Sequence, residues 1–196
     1  MTGSTLNMHY TIADPKTFGI SEYEPVLPIY HSDQPEDSKE HCSDLLHRLD
    51  RIDPDRLSPE NAYTYRLLHR SLENDLALAD FPYYNEPLSP SSGMQSQLPV
   101  LLAEYTFRTK RDVTDYLALL DQIDDYFASL LLYEQEKAAA GFFMPACSSE
   151  KVRKQCDTIV TTEELAQGTH FLQTTFEDRL SELQKQGLFT PEETAS

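Results

Sequence analysis

Apolar residues recur at intervals of three and four along most of the chain, from about residue 36 to residue 186. Side chains at this spacing lie on one face of an α-helix, so the pattern predicts amphipathic helices that pack through their apolar faces. The predicted helices cover about residues 36–52, 59–80, 95–105, 110–140, 149–160 and 170–186. We therefore predict a mainly α fold, built as a helical array.

The ends of these segments carry capping signals. Ser58 precedes Pro59, and an N-cap side chain followed by proline at the first helical position is typical of a helix start. Thr109 is followed three residues later by Asp112, which is close to a capping box. We predict that the helix beginning at Thr109 is the longest and that it ends at Gly141, because glycine is favoured where a helix terminates.

The first residues of the chain alternate instead of following a helical period. Apolar residues at positions 6, 8, 10 and 12 alternate with polar residues at positions 7, 9 and 11, which predicts a half-buried strand. Pro25 and Pro28 restrict a returning strand to an edge or an extended loop. We predict a short N-terminal β-strand or hairpin within residues 1–30, followed by a helical domain over residues 31–189.

Residues 190–196 carry another helix-start signal, with Thr190 as the N-cap, Pro191 as the first helical residue and Glu193 in the third position. Only three residues follow Glu193, so we expect this segment to be the start of a further helix that is truncated. The N-terminal strand has only an imperfect partner in the chain, which favours the same expectation of a truncated protein.

Acidic residues outnumber basic ones, with 33 Asp and Glu against 16 Lys and Arg and a formal charge of -17. Such a charge repels phosphate groups, so we expect neither a nucleic-acid partner nor binding to an anionic membrane surface. No stretch approaches the roughly 18 consecutive apolar residues of a transmembrane segment, and the N-terminus lacks the basic and apolar parts of a signal peptide. We expect a cytoplasmic protein, or one exported or lipid-anchored through an N-terminus that this sequence does not include.

Titratable and nucleophilic residues form no familiar catalytic pattern. None of the histidines stands in an H-E-x-x-H motif, and His41 and His47 are about 240° apart around a helix axis, so they do not converge on one metal ion. The chain has neither the G-x-S-x-G turn of serine hydrolases nor a glycine-rich phosphate loop. We interpret Cys147 and Cys156 as buried thiols rather than a disulfide or a metal site. We predict no catalytic residue and no metal ligand in this chain.

Residues 87–103 include no charged side chain, although a quarter of the chain is charged. The first half has the serine, proline and glycine content of a loop, and the second half runs into a short buried helix. Two interpretations stay open, either a connector that is uncharged because it is buried or the wall of a binding cleft. Amide and hydroxyl groups bind peptide backbone well. The candidate substrate-binding residues are Tyr84, Asn85, Ser92, Gly93, Gln95 and Gln97.

Three stretches of the sequence resemble a large bacterial protein family. They are TLNMHYTIADPKTFGI over residues 5–20, EPLSPSSGMQSQLPVLLAEYTFRTKRDVTDYLALLDQI over residues 86–123 and YEQEKAAAGFFMPACSSEKVRKQC over residues 133–156. The most specific features are GMQSQLPVLLAEYTFRT and, at a fixed distance after it, AAAGFFMP. These stretches are similar to the N-terminal half of the family known as domain of unknown function 885.

The resemblance implies a mainly helical bacterial protein that is similar to thermolysin-like zinc peptidases. It implies that an H-E-x-x-H zinc signature lies in a C-terminal half that this chain lacks, so we expect zinc and that missing half as partners from outside this sequence. No catalytic or zinc-binding role carries over to a residue of this chain. The resemblance also implies that the uncharged segment forms one wall of a cleft that binds a peptide substrate.

On this basis we predict the non-catalytic N-terminal helical part of a peptidase-like protein, inactive on its own. Two alternatives stay open. One is a standalone helical module that binds a peptide or a partner protein without enzymatic activity. The other is a small structural protein that oligomerises through its unpaired N-terminal strand.

Overall fold

The computed structural model describes residues 5–30 and 34–189 of the protein. Its α-helices are α1 (Thr5–Thr11), α2 (Gln34–Leu49), α3 (Pro59–Leu78), α4 (Met94–Glu104), α5 (Lys110–Leu120), α6 (Ile123–Ala139), α7 (Ala146–Ile159), α8 (Thr162–Gln167) and α9 (Phe171–Lys185). Short 3-10 turns occupy Pro15–Phe18, Pro54–Arg56 and Pro82–Tyr84. Over the residues described there is no β-strand, and the prediction of a mainly α fold is confirmed. The predicted helix start at Thr190 lies outside these residues.

The predicted N-terminal strand is wrong, because Thr5–Thr11 form a helix. Thr5 fixes the start of this helix, since its N–H donates to the Val26 carbonyl at 3.1 Å and its hydroxyl oxygen accepts the Val26 N–H at 2.7 Å. The helix buries His9, which the alternating pattern assigns to the polar face, and leaves Tyr10 42% exposed. Over so short a segment, apolar positions fit a helical period as well as an alternating one, and the contact with Val26 decides between them.

The longest predicted helix is wrong in one respect, because it is divided into α5 and α6. The division falls at Gln122, whose backbone N–H donates to the Leu119 carbonyl at 3.2 Å. In a continuous α-helix that N–H would donate to the Ala118 carbonyl. That carbonyl instead accepts the side-chain amide of Gln122 at 2.8 Å, and the same amide donates to the Pro25 carbonyl at 2.9 Å. A side chain thus replaces a backbone donor and ends the helix.

Two predicted helix starts are confirmed together with their capping contacts. At the start of α3, Ser58 Oγ accepts the N–H of Asn61 at 3.3 Å. At the start of α5, Thr109 Oγ1 accepts the N–H of Asp112 at 3.3 Å, and Asp112 Oδ2 accepts the N–H of Thr109 at 2.7 Å. The second pair forms the capping box that the sequence predicts.

Contacts divide the described chain into two compact units, of which the first combines residues 5–30, 86–132 and 143–189. Its core brings together apolar side chains from α1, α4, α5, α6 and α9. Its most deeply buried members include Leu98, Leu102, Tyr105, Tyr116, Leu119 and Leu183. The rings of Tyr116 and Phe176 stack with centroids 5.6 Å apart and link α5 to α9. Both pockets described below belong to this unit.

The second unit combines residues 34–85 and 133–142, and in it α2 packs against α3. The buried Lys137 ammonium donates to the Asn85 carbonyl at 2.8 Å, and the Tyr133 hydroxyl donates to the Pro82 carbonyl at 2.7 Å.

The division of the sequence into residues 1–30, 31–189 and 190–196 stays a prediction. In the part of the chain that is described, no helix has both the length and the apolar character needed to cross a membrane.

Candidate functional site

The loop at the start of the uncharged segment is held by backbone and glutamine hydrogen bonds. The Ser89 carbonyl accepts the Gly93 N–H at 3.0 Å and the Gln95 side-chain amide at 2.7 Å. The Gln155 amide of α7 donates to the Pro90 carbonyl at 2.9 Å, and its oxygen accepts from the Gln95 amide at 2.9 Å. Two neutral side chains therefore satisfy loop carbonyls that a charged residue would reach only by losing its own hydration.

Gly93 is the point of closest packing in this loop. Its φ of -73° is open to every amino acid, so the need for glycine comes from space rather than from backbone conformation. A Cβ atom at this position would lie 2.0 Å from Gln95 Oε1 and 2.3 Å from the Ser89 backbone nitrogen. Glycine therefore allows the loop to fold directly onto the first turn of α4.

Gln95 is 3% exposed and holds the loop from within. Its Oε1 is buried and has no hydrogen-bond partner among the residues that the structure describes. Leaving such an acceptor without a donor costs about 1–3 kcal/mol. A water molecule or a ligand N–H group is the kind of partner that suits it.

An apolar pocket of about 270 Å³ lies beside Gln95, which forms part of its wall. Its other walls come from α4, from the first turns of α6, from the end of α7 and from α9. They are formed by Leu98, Pro99, Leu102, Ile123, Phe127, Cys156, Ile159, Val160 and Leu172. No charged side chain is among these residues, so the pocket suits an uncharged, apolar group.

His170 fixes the distance between two walls of the apolar pocket. It is buried and caps the N-terminus of α9, where its Nδ1 accepts the N–H of Leu172 at 3.3 Å. Because Nδ1 accepts, Nε2 carries the hydrogen, which it donates to the Ile159 carbonyl at 2.9 Å. Ile159 and Leu172 both line the pocket, so one imidazole ties the α7 wall to the α9 wall.

Cys156 lines the apolar pocket, and both Cys156 and Cys147 are exposed, which corrects the prediction that they are buried thiols. The physical reason is that Val152 is the buried residue of α7, so most of that helix faces solvent. Partial burial and the neighbouring Asp157 carboxylate raise the pKa of the Cys156 thiol. The thiol is therefore uncharged at neutral pH, in keeping with the other walls of the pocket.

Four of the candidate binding residues lie in the first unit, on α4 or just before it. Gly93 and Gln95 are buried and pack against each other, whereas Ser92 and Gln97 are exposed. Ser92 also supports the loop, since its N–H donates to Ser89 Oγ at 3.2 Å. The role of these four residues in substrate binding stays a prediction.

The other two candidates, Tyr84 and Asn85, lie in the second unit. Tyr84 is 69% exposed, and its ring packs against Phe81 with centroids 5.3 Å apart. Asn85 offers its backbone carbonyl to Lys137. The six candidates are thus divided between the two compact units. A binding role for Tyr84 and Asn85 likewise stays a prediction.

Sequence reasoning missed three residues that build this site, namely Gln155, His170 and Phe127. Gln155 carried a usable signal, because it is a neutral amide within the strongly charged stretch EKVRKQCD of residues 150–157. The spacing of Phe127 predicts an inward-facing side chain, but spacing does not tell a pocket wall from a filled core. His170 begins a predicted helix, and nothing in the sequence indicates that its ring reaches Ile159.

No group of three or more His, Cys, Asp or Glu side chains within residues 5–30 and 34–189 is arranged to hold a metal ion. A zinc site in a part of the protein outside this sequence, which the resemblance implies, stays a prediction. The polar side chains that line the apolar pocket are the Gln95 amide and the Cys156 thiol, which can bind and orient a ligand.

Comparisons with curated proteins and with solved structures find no match to this chain. A family model described as a bacterial protein of unknown function (DUF885) matches residues 16–194. That range includes the uncharged segment and every residue that lines the apolar pocket. The chain therefore belongs to the DUF885 family of bacterial proteins of unknown function.

Proposed function

We propose that this chain is the non-catalytic N-terminal helical part of a bacterial zinc-dependent peptidase-like protein, and that it forms one wall of a peptide-binding cleft. The observation that carries the proposal is the apolar pocket of about 270 Å³ beside the uncharged segment. Membership of the DUF885 family and the resemblance of the quoted sequence stretches support it.

In this proposal the apolar pocket takes one apolar side chain of an extended peptide. The burial of a leucine or phenylalanine side chain contributes about 1.5–3 kcal/mol. Ser92 and Gln97 are exposed on the same segment and supply a hydroxyl and an amide for hydrogen bonds to peptide backbone. Gln95 supports this wall by holding the loop in place.

The zinc ligands and the catalytic glutamate belong, in this proposal, to a part of the polypeptide that this sequence does not contain. The test is to read the gene beyond codon 196. We expect an open reading frame that continues and encodes an H-E-x-x-H helix. A stop codon immediately after codon 196 would leave this molecule without a peptidase role.

Peptide binding by the apolar pocket is tested with neutral, capped peptides. We expect N-acetyl-Gly-Leu-Gly-amide to shift the NMR signals of pocket residues in a saturable way. N-acetyl-Gly-Ser-Gly-amide should bind about fivefold more weakly or worse, because serine lacks the apolar surface that leucine buries. Equal binding of the two peptides contradicts the proposed pocket.

A matched pair of variants on α7 completes this experiment. Cys156→Phe places a ring at a residue that lines the pocket, and we expect it to abolish the preference for leucine. Cys147→Phe adds the same ring to an exposed cysteine of the same helix that does not line the pocket, and we expect it to keep the preference. Retention of the preference in both variants would place leucine binding elsewhere.

A second candidate function is a standalone helical module that binds a peptide or a partner protein without catalysis. The first compact unit supplies every residue that lines the apolar pocket, so binding there does not require another domain. Both candidates predict the preference for leucine. The reading frame distinguishes them, because a stop codon together with leucine binding supports the module.

A further inference from the structure

A second pocket, of about 470 Å³, lies beside the N-terminus of α5 and is called the arginine pocket here. Its walls come from residues 13–23 and 108–112. The cationic side chains on the walls are Lys16, Arg108 and Arg111, and the acidic ones are Asp14 and Asp112. The lining therefore carries one more positive than negative charge, in a protein with a formal charge of -17.

Backbone N–H groups of the protein engage both carboxylates of the arginine pocket. Asp14 Oδ1 accepts the N–H of Lys16 at 3.1 Å. Asp112 Oδ2 accepts the N–H groups of Arg108 at 2.8 Å and of Thr109 at 2.7 Å. These hydrogen bonds stabilise the two carboxylates and fix them on the protein backbone.

Arg111 is held in a fixed position on the wall of this pocket. Its Nη2 donates to the Tyr23 carbonyl at 2.6 Å, and its guanidinium carbon lies 4.0 Å from the centre of the Tyr23 ring. Its Nε is 3.5 Å from Asp115 Oδ2, which also accepts the Tyr23 hydroxyl at 2.8 Å. Partial burial and the hydrogen bond to Asp115 raise the pKa of Tyr23 to about 12, so the hydroxyl stays a donor. A guanidinium fixed in this way loses little entropy when it binds a ligand.

Arg108 and Lys16 form no ion pair with an acidic side chain in the described parts of the chain. The guanidinium of Arg108 approaches His9, with Nη1 at 3.5 Å from Nε2. The His9 ring stacks on Tyr105 with centroids 3.7 Å apart. Burial, opposed by the Asp112 carboxylate, lowers the pKa of His9, so the imidazole beside Arg108 is uncharged at neutral pH.

We propose that the arginine pocket binds the free carboxylate group of a small ligand. Two guanidinium groups and an ammonium group that line one cavity supply N–H donors, and arginine binds a carboxylate through two parallel hydrogen bonds. The carboxylates of Asp14 and Asp112 also line this pocket, so a ligand with one negative charge meets less repulsion there than a phosphate dianion. The volume of about 470 Å³ exceeds that of a carboxylate, and the space beside Pro15, Ile20 and the Tyr23 ring takes the body of a ligand the size of a short peptide.

This inference does not depend on the proposed function, because the arginine pocket and the apolar pocket share no residue. The capped peptides that test the apolar pocket also lack a carboxylate. Failure of either experiment therefore leaves the other proposal standing.

The test is a titration of the whole chain with N-acetyl-Ala-Ala, as the free acid and as its C-terminal amide. Binding is followed by the NMR signals of the arginine Nε–H groups and of the Thr109 backbone amide. We expect saturable binding of the free acid that is about tenfold or more tighter than binding of the amide, because the carboxylate makes charge-assisted hydrogen bonds. Inorganic phosphate serves as the third probe.

Two matched variants assign the binding to Arg108. Arg108→Gln removes the guanidinium, and it should weaken binding of the free acid about tenfold or more and leave the amide unchanged. Arg153→Gln removes the same charge from an exposed position of α7 and should leave the affinity within about twofold. If Arg108→Gln does not fold, Lys16→Gln replaces it. The comparison of the free acid with the amide in the unaltered protein also tests the proposal without any variant.

Several outcomes would overturn the proposal. These are equal binding of acid and amide, no saturable binding up to about 10 mM free acid, and equal losses in the Arg108 and Arg153 variants. Tighter binding of phosphate than of the free acid would make the pocket a phosphate site and the carboxylate assignment wrong.

Discussion

Two polar regions of the first unit, the loop over residues 87–95 and the arginine pocket, use their hydrogen-bonding groups in opposite ways. In the loop, the amides of Gln95 and Gln155 are directed at each other and at backbone carbonyls. In the arginine pocket, backbone N–H groups engage the carboxylates, while the guanidinium of Arg108 lines open space. The polar groups of the loop therefore serve the fold first, whereas the cationic groups of Arg108 and Lys16 have no acidic partner among the described residues and can contact a ligand.

The comparison also explains why residues 87–103 carry no charge. The loop is tied to α7 through the buried amide of Gln95 and the half-buried amide of Gln155, so any charged side chain placed among them would have to be desolvated. The same segment then continues into α4, where Leu98 and Leu102 line the apolar pocket. A buried connector and a pocket wall are thus two faces of one segment, so the lack of charge does not by itself indicate a binding site.

The largest expected effect is that of Gly93→Ala, which would break the loop side of the comparison. The added Cβ meets the Ser89 backbone, which cannot move aside as a flexible side chain can. We expect the free energy of unfolding to fall by about 3 kcal/mol, measured by urea denaturation. Ser91→Ala is the control, because Ser91 is exposed in the same loop, and it should stay within about 0.5 kcal/mol of the wild type. An unchanged midpoint for Gly93→Ala would mean that the loop is not closely packed.

A smaller effect is expected for Gln155→Ala, which removes the link between the loop and α7. The substitution deletes the donor to the Pro90 carbonyl and the acceptor for the Gln95 amide, and we expect a loss of about 1–2 kcal/mol. The double variant with Gln95→Ala should lose less than the sum of the two single variants, because they share one hydrogen bond. The control is Gln97→Ala, which removes an exposed amide from α4, the helix that carries Gln95. Strict additivity would show that the two amides act independently.

Local signals in the sequence were enough for the helix starts. The capping residues at Ser58 and Thr109 act on N–H groups three residues away, so they can be read without knowledge of the fold. The N-terminal helix and the break between α5 and α6 could not be predicted in this way. Thr5 is fixed by Val26, and Gln122 is fixed by Pro25, through contacts between distant parts of the chain.

The candidate site was predictable only in its location along the chain. The uncharged composition marks the loop, but the partner of Gln95 is Gln155, which lies 60 residues further on. The apolar pocket combines helices from both ends of the first unit, and a helical period gives each inward face without its neighbour. The arginine pocket could not be predicted from the sequence for a related reason. Lys16 and Arg108 are far apart along a chain whose overall charge is strongly negative.

The smallest expected effect concerns His9 and sharpens the arginine side of the comparison. Burial lowers the pKa of His9 in the folded protein, so the folded state binds a proton less readily than the unfolded chain. The stability that the neutral ring contributes is therefore fully present above about pH 6.5 and is lost as the pH falls through the lowered pKa. We expect the free energy of unfolding of the wild type to fall between about pH 7 and pH 5, and that of His9→Phe, which keeps a ring on Tyr105, to fall less.

The control for this measurement is His47→Gln, which removes an exposed histidine of α2 and shows how the loss of a histidine elsewhere changes the pH dependence. The side chains that act on His9 are Asp112 and Asp115, which favour the charged ring, and Arg108, which disfavours it. Parallel curves for the wild type and His9→Phe would mean that the imidazole takes up its proton equally well when folded. His9 would then be a cationic neighbour of Arg108 at mildly acidic pH. A neutral His9 could not then be the reason why Arg108 is able to bind a carboxylate.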